Sequence, residues 1–215
     1  MPPELALYED VLANGAAVSL PARPRVMLVM HGSIAVADRV LRDDEAWSGE
    51  AAIGFKAGPE GAAIWRWELI DGNAGGAAAG PGTGSRQKLS ARLDTLPKGA
   101  LILRGDSVAF PPGGCAYLHR HQGPGIRCLV EGGFRIDSAG HSTAYAPGGA
   151  WYENGPEPVF AQAADRPTRF VRVMLLPRSY LGKSSVEYLR EEDKGKPKSQ
   201  TYKIYVDMPI AFVGS

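Results

Sequence analysis

Glycine and proline punctuate this chain so densely that long helices have little room to form: 27 Gly and 17 Pro fall among 215 residues. They are the two poorest helix formers, and both suit tight turns. Short strands joined by turns tolerate that density, so the chain reads as all-β. A helical bundle is disfavoured on this ground, and a doubly wound sheet would need recurring helical segments that the sequence lacks. Hydrophobic residues make up 44% of the chain, enough for a packed core and too many for a disordered one.

Charge narrows the partners. With 24 Lys+Arg against 23 Asp+Glu the chain has no bulk field for nucleic acid or an acidic membrane. Its most apolar stretch, residues 26–30, stops at His31 and Gly32, far short of the roughly 20 residues that cross a bilayer. The opening MPPELALYEDVLANG carries acids where a secretion signal would carry bases and an apolar run. Cys115 and Cys128 are too few for a disulfide framework and read as reduced thiols. A cytoplasmic protein is expected.

The chain also repeats itself. RVMLVMHGSIAV (25–36) resembles IRCLVEGGFRI (126–136), each an apolar strand, a turn at Gly32 or Gly132, and a second strand. Trp47 and Trp151 then precede acidic, glycine-containing turns, and AAIWRWELI (62–70) resembles TRFVRVMLL (168–176), with Arg66 matching Arg172. The offset drifts from 100 at the glycines to 104 at the tryptophans and 106 at the arginines, the signature of a tandem duplication. The Gly/Ala-rich stretch at 70–87 has nothing to bury and reads as a linker. The expected organisation is a first barrel over 1–72, a linker over 73–90, and a second barrel with a tail over 91–215. In that tail SYLGKSSVEYLREED reads as a short helix and TYKIYVDMPIAF as a final strand.

The densest chemical signal is GGCAYLHRH, residues 113–121. In a regular strand Cys115, Tyr117, His119 and His121 would share one face. Two imidazoles two apart can reach one metal ion, and neutral imidazole suits Zn, Cu, Fe and Ni. A hydrogen-bonded histidine pair on a barrel wall would read the same way.

These residues resemble the motifs of the cupins, small double-stranded β-helix (jelly-roll) barrels. Their first motif, G-x5-H-x-H-x(3,4)-E-x6-G, is matched by Gly113, His119, His121 and Gly132, with Gly125 where the glutamate would stand. Their second, G-x5-P-x-G-x2-H-x3-N, is met loosely by Gly140, Pro147 and Gly149, with Tyr152 at the histidine and Pro156 at the asparagine. The resemblance implies two such barrels in tandem, with a short C-terminal helix and strand. It implies a divalent transition metal (Fe, Mn, Ni or Zn) on His119 and His121, with Tyr152, Glu153 or waters to complete the site and Tyr152 the better third ligand by facing. Glu153, one residue on, would point out of an unbroken strand unless a bulge reversed it.

Arg127 lies two residues beyond the vacated glutamate position and is aimed by alternation into the same barrel. Its planar fork suits a carboxylate or enolate, although pairing with Glu131 or Glu153 reads equally well. Arg172 reads as exposed. Tyr117 and Trp151 are wall residues with a possible part in stacking on a ligand. Counting back from Gly32 finds Pro21 and Ser19 at the histidine positions, so the first barrel should be structural. The expected function is a metal-dependent dioxygenase- or isomerase-like enzyme for a small anionic organic molecule, with Arg127 orienting the substrate and Tyr152 as ligand or acid/base. The alternative is a non-catalytic binding or sensing barrel with a decayed metal site. A homodimer is expected in either case, with the strand over 202–212 free to extend a neighbouring sheet.

Overall fold

A computed structural model describes residues 2–72 and 76–214. The chain divides into two compact units, 1–94 and 95–215. The first holds β1 (Glu4–Leu12), β2 (Ala17–Leu20), β3 (Arg25–Val36), β4 (Arg39–Arg42), β5 (Ala46–Gly49), β6 (Ile53–Ile70) and β7 (Thr83–Arg92). The second holds β8 (Gly99–Phe110), β9 (Cys115–His121), β10 (Gly125–Glu131), β11 (Phe134–Ser138), β12 (His141–Tyr145), β13 (Ala150–Glu153), β14 (Val159–Ala163), β15 (Thr168–Pro177), β16 (Val186–Tyr188) and β17 (Thr201–Gly214). Every strand pairing among the described residues is antiparallel. The architecture is all-β, as the turn density requires.

The two units share a register. In the first, Trp47 pairs with Met27, Met27 with Arg66, and Arg66 with Tyr8, across β5, β3, β6 and β1. In the second, Trp151 pairs with Arg127, Arg127 with Arg172, and Arg172 with Asp106, across β13, β10, β15 and β8. The tryptophan and arginine landmarks of the sequence thus occupy the same rows of the same strand order. Gly32 and Gly132 both take left-handed φ, +81° and +86°. A Cβ there would lie 2.3 Å from Gly61 O and 2.3 Å from Thr168 Oγ1, so only glycine fits either turn.

Two differences from the sequence reading concern the connections. Residues 83–90, read as linker, are not free: they form most of β7, which pairs along β1. Residues 73–75 of that stretch lie outside the described part. The segment read as a short helix forms one 3-10 turn at Arg178–Tyr180, strand β16 and a four-residue helix, α1 (Glu191–Lys194). Gly182, at φ +69°, interrupts helical geometry there, and β16 gains hydrogen bonds by pairing with β9.

The second unit faces one five-stranded sheet, β13-β10-β15-β8-β17, with another, β12-β11-β14-β9-β16. The final strand pairs with β8 inside this unit. Phe110, Phe134, Trp151 and Phe170 interlock at one end of the interior, Phe110 and Phe134 with ring centroids 5.0 Å apart. Such pairs contribute about 0.5–1.5 kcal/mol beyond the area they bury. Two residues along the same faces the lining changes character: Val108 gives way to Asp106, Leu129 to Arg127, and Phe170 to Arg172. Strand alternation therefore puts buried charge directly above the aromatic floor.

Candidate functional site

A cavity of about 20 Å³, room for one water molecule, lies at that boundary. Its walls include His119, His121, Arg127, Glu153, Arg172, Gln200 and Tyr202 above Val108, Phe110 and Phe170. The two imidazoles of β9 meet edge to face, with centroids 4.9 Å apart. His119 Nδ1 lies 2.7 Å from the carbonyl of Tyr117. A carbonyl only accepts, so Nδ1 carries the proton and Nε2 keeps its lone pair. Burial pushes the His119 pKa below the ordinary histidine value, opposed in part by the Glu153 charge. Burial, with Arg172 and Arg127 beside the ring, pushes that of His121 well below. Both rings are neutral at neutral pH.

Arg127 is 1% exposed. Its Nη1 donates to the carbonyl of Gly125 at 2.6 Å, and its Nη2 stands 2.9 Å from Glu153 Oε2, a charge contact without hydrogen-bond angles. Burial pushes its pKa down to about 10, so it stays charged at neutral pH. Arg172 is equally enclosed. Burial works against its charge, but Asp106, accepting from Nε at 2.6 Å and Nη2 at 3.2 Å, more than offsets this and raises its pKa. Its Nη1 stands 3.4 Å from His121 Nε2.

Several positions differ from the sequence reading. Cys115 and Tyr117 do not share the face of His119 and His121. β14 sets Val159 opposite His119 but Ala161 opposite Ala116, so an extra residue on β9 bulges and the alternation reverses. Ala116 takes the inward place. Tyr117 instead meets the ammonium groups of Lys196 and Lys198, 5.0 and 5.2 Å from its ring centre. Tyr152 is also displaced from its expected role: it pairs with Ile126, on the face opposite that of Trp151 and Glu153. It therefore does not line the cavity as a third ligand. Glu153 does, because Arg127 opposite Trp151 fixes the inward parity of β13, and no bulge is needed. Trp151 is packed in the wall, stacked on Tyr145 with centroids 4.7 Å apart, and donates from Nε1 to Glu153 Oε1 at 2.8 Å. Arg172, read as exposed, is buried.

Asp106 and Gln200 were not singled out from the sequence. The repeat does not point to Asp106 directly: Tyr8 stands in its row in the first unit, and Asp10, two residues on, holds Arg66 at 2.7 Å as Asp106 holds Arg172. Gln200 lies in the tail and has no counterpart in the first copy. Its Nε2 donates to Tyr188 and Tyr202 hydroxyls at 2.8 and 3.2 Å, and its Oε1 is buried without a partner.

As a metal site the donor set is incomplete. Among the described residues no group of three His, Cys, Asp or Glu side chains converges on a common point. Arg172 engages Nε2 of one imidazole, and Arg127 engages the carboxylate that would join the pair. Arg127 and Arg172 bring two positive charges to that space, and Glu153 and Asp106 answer them there. In the first unit the interior is closed by charge pairing: Arg25, Arg66, Glu68 and Asp10 are buried, with Arg66 2.8 Å from Glu68 and Arg25 2.9 Å from it. No histidine stands there.

No protein-family model matches the chain, and no curated protein does. Solved structures do. An oxalate decarboxylase of Bacillus subtilis, studied for its Mn(II) centres, superposes with a TM-score of 0.63 at 12% identity over 93% of this chain and 81% of its own. Another structure of that enzyme gives 0.61 at 13% identity over 80% and 68%. AerE from Microcystis aeruginosa gives 0.58 at 14% over 82% and 93%. The fold is thus that of the double-barrelled cupins. Among the described residues no helix is long and apolar enough to cross a membrane.

Proposed function

We propose that the second barrel is a recognition site for a small organic anion, with Arg127 as its principal contact and the neutral pair His119 and His121 as hydrogen-bonding groups beside it. The observation that carries this reading is a guanidinium 1% exposed at the wall of a cavity that lies between charged and aromatic rows. Its carboxylate partner, Glu153, stands 2.9 Å away without a hydrogen bond, so an anion with better geometry would pair with the buried charge more fully. Arg172, tied to Asp106, supplies a second positive edge and keeps His121 Nε2 engaged. Tyr152 receives no acid/base role in this reading.

The test is a panel of carboxylates of increasing size, from formate upward, titrated into the protein and into Arg127→Gln by calorimetry. Binding that disappears in the variant supports the reading. Binding that survives unchanged would sink it.

A second reading, metal-dependent turnover of such an anion, is favoured by the edge-to-face imidazole pair and by the Mn(II) centres of a protein with this fold. His119 and His121 would hold the ion. Elemental analysis of the purified protein beside a His119→Ala/His121→Ala variant separates the two readings. Stoichiometric metal lost in the variant supports turnover, and absence from both proteins leaves the anion site alone.

A further inference from the structure

Beside the cavity lies a vestibule of about 180 Å³, walled by Tyr145 and Trp151 together with the polar Ser138, His141, Thr143 and Asn154. Cavity and vestibule have Glu153, Ile136 and Val159 in common. Of the three, Glu153 alone is charged. Its side chain is 15% exposed, between solvent and the buried guanidinium. A second cleft, by Pro97, Gln122 and Asn154, shares only the His121 ring with the cavity.

We infer that Glu153 is an internal stand-in for the ligand's own carboxylate, and that the ligand is a monocarboxylate with an apolar or aromatic body. This rests on the anion reading above and deepens it. Without the Glu153 carboxylate, Arg127 would be a buried charge with only carbonyl and thioether hydrogen-bond neighbours, Gly125 O at 2.6 Å, Glu153 O at 3.5 Å and Met174 Sδ at 3.9 Å. Glu153 neutralises it, but incompletely: Oε1 accepts from Trp151 at 2.8 Å, while Oε2 is buried 2.9 Å from Arg127 Nη2 with no hydrogen bond of its own. A carboxylate arriving through the vestibule can take that place with better angles as Glu153 turns toward water. Swapping one carboxylate for another keeps Arg127 paired throughout, which avoids the penalty of an exposed intermediate with a lone buried cation. The arriving molecule's remaining atoms then lie in the vestibule, against Tyr145, Trp151 and Ile136. With Glu153 turned out, the space at Arg127 is that of one carboxylate and little more, and Glu157 lines the vestibule, so a second carboxylate there would meet like charge.

Calorimetric titration of benzoate, benzamide and formate into wild type, Glu153→Gln, Glu153→Asp and Arg127→Gln tests this. Removing the competing charge should tighten benzoate at least about tenfold in Glu153→Gln, equivalent to one carboxylate–guanidinium contact no longer displaced. Glu153→Asp, whose shorter arm retracts the charge, should move affinity the same way and guards against misfolding of the first variant. Benzamide should not gain. Equal or weaker benzoate binding in both Glu153 variants, with Arg127 still required, overturns the stand-in and leaves the anion reading intact. Binding of formate but not benzoate overturns the apolar-bodied class alone. Failure of every carboxylate overturns both this inference and the reading beneath it.

Discussion

Arg172 places Nη1 3.4 Å from Nε2 of His121 inside the second barrel. A guanidinium has no lone pair to offer, so it can only donate to this nitrogen, while Glu153 Oε2, 3.6 Å from the same atom, can only accept from it. Nε2 thus stands between a donor and an acceptor, and Nδ1 is buried and meets no partner.

Protonating that ring would set three positive groups against one another. The His121 pKa lies well below 6.5 in the folded protein, through burial first and then Arg172 and Arg127, and the His119 pKa is lowered too. The unfolded chain therefore takes up more protons below pH ~6.5, its ordinary histidine value. Stability from both rings is full above that pH and falls as the pH drops toward the folded values. Urea unfolding between pH 8 and pH 5 should show this decline, and His119→Gln/His121→Gln should flatten it. The imidazole proton resonances of both residues should not titrate near pH 6.5.

The Arg172–Asp106 pair is held by two hydrogen bonds in a buried row. Arg172→Met leaves Asp106 as an unpaired buried charge and should destabilise by about 3–5 kcal/mol. The double variant Asp106→Leu/Arg172→Met should recover most of that loss, because neither charge then remains. Denaturant midpoints at constant slope read both.

Gly132 and Gly140 share a left-handed φ, +86° and +77°, but differ in surroundings. A Cβ at Gly140 meets nothing within 4 Å, whereas at Gly132 it would strike Thr168 Oγ1 at 2.3 Å and Pro167 O at 2.5 Å. Gly140→Ala should cost about 1–2 kcal/mol from backbone strain alone. Gly132→Ala should exceed about 3 kcal/mol, since the steric clash adds to it. Equal costs would show that the turn relaxes freely.

Arg120 follows His119 directly, yet it faces water and pairs with Glu187 at 2.9 Å on the surface. Solvent screens such a pair. Arg120→Ala should leave both unfolding midpoint and anion binding within experimental error, a control on the same strand as the histidines.

Legibility in the sequence followed periodicity. The duplication could be read because Gly32 and Gly132, Trp47 and Trp151, and Arg66 and Arg172 are tied to turns and rows that both units keep. The inward aim of His119, His121 and Arg127 could be read because each lies on a strand whose alternation holds locally. Tyr117 could not, since one inserted residue on β9 reverses the parity and that insertion shows only against Val159 and Ala161 of β14. Tyr152 and Glu153 were exchanged because motif spacing fixes a position to within a residue, while a strand turns a residue over at every step. Gln200 reaches the cavity by long-range pairing of the tail, which leaves no local signal.

The first unit fills its interior with charges that answer one another, Asp10 to Arg66 and Glu68 to Arg66 and Arg25. The second keeps the same framework, and neither is saturated: Arg66 Nη1 in the first and His121 Nδ1, Glu153 Oε2 and Gln200 Oε1 in the second are buried without hydrogen bonds. Those of the second unit belong to residues that wall a cavity, where an entering molecule can supply the missing partner. Both copies of the duplicated architecture thus carry idle polar atoms, and the second gathers its own around a space.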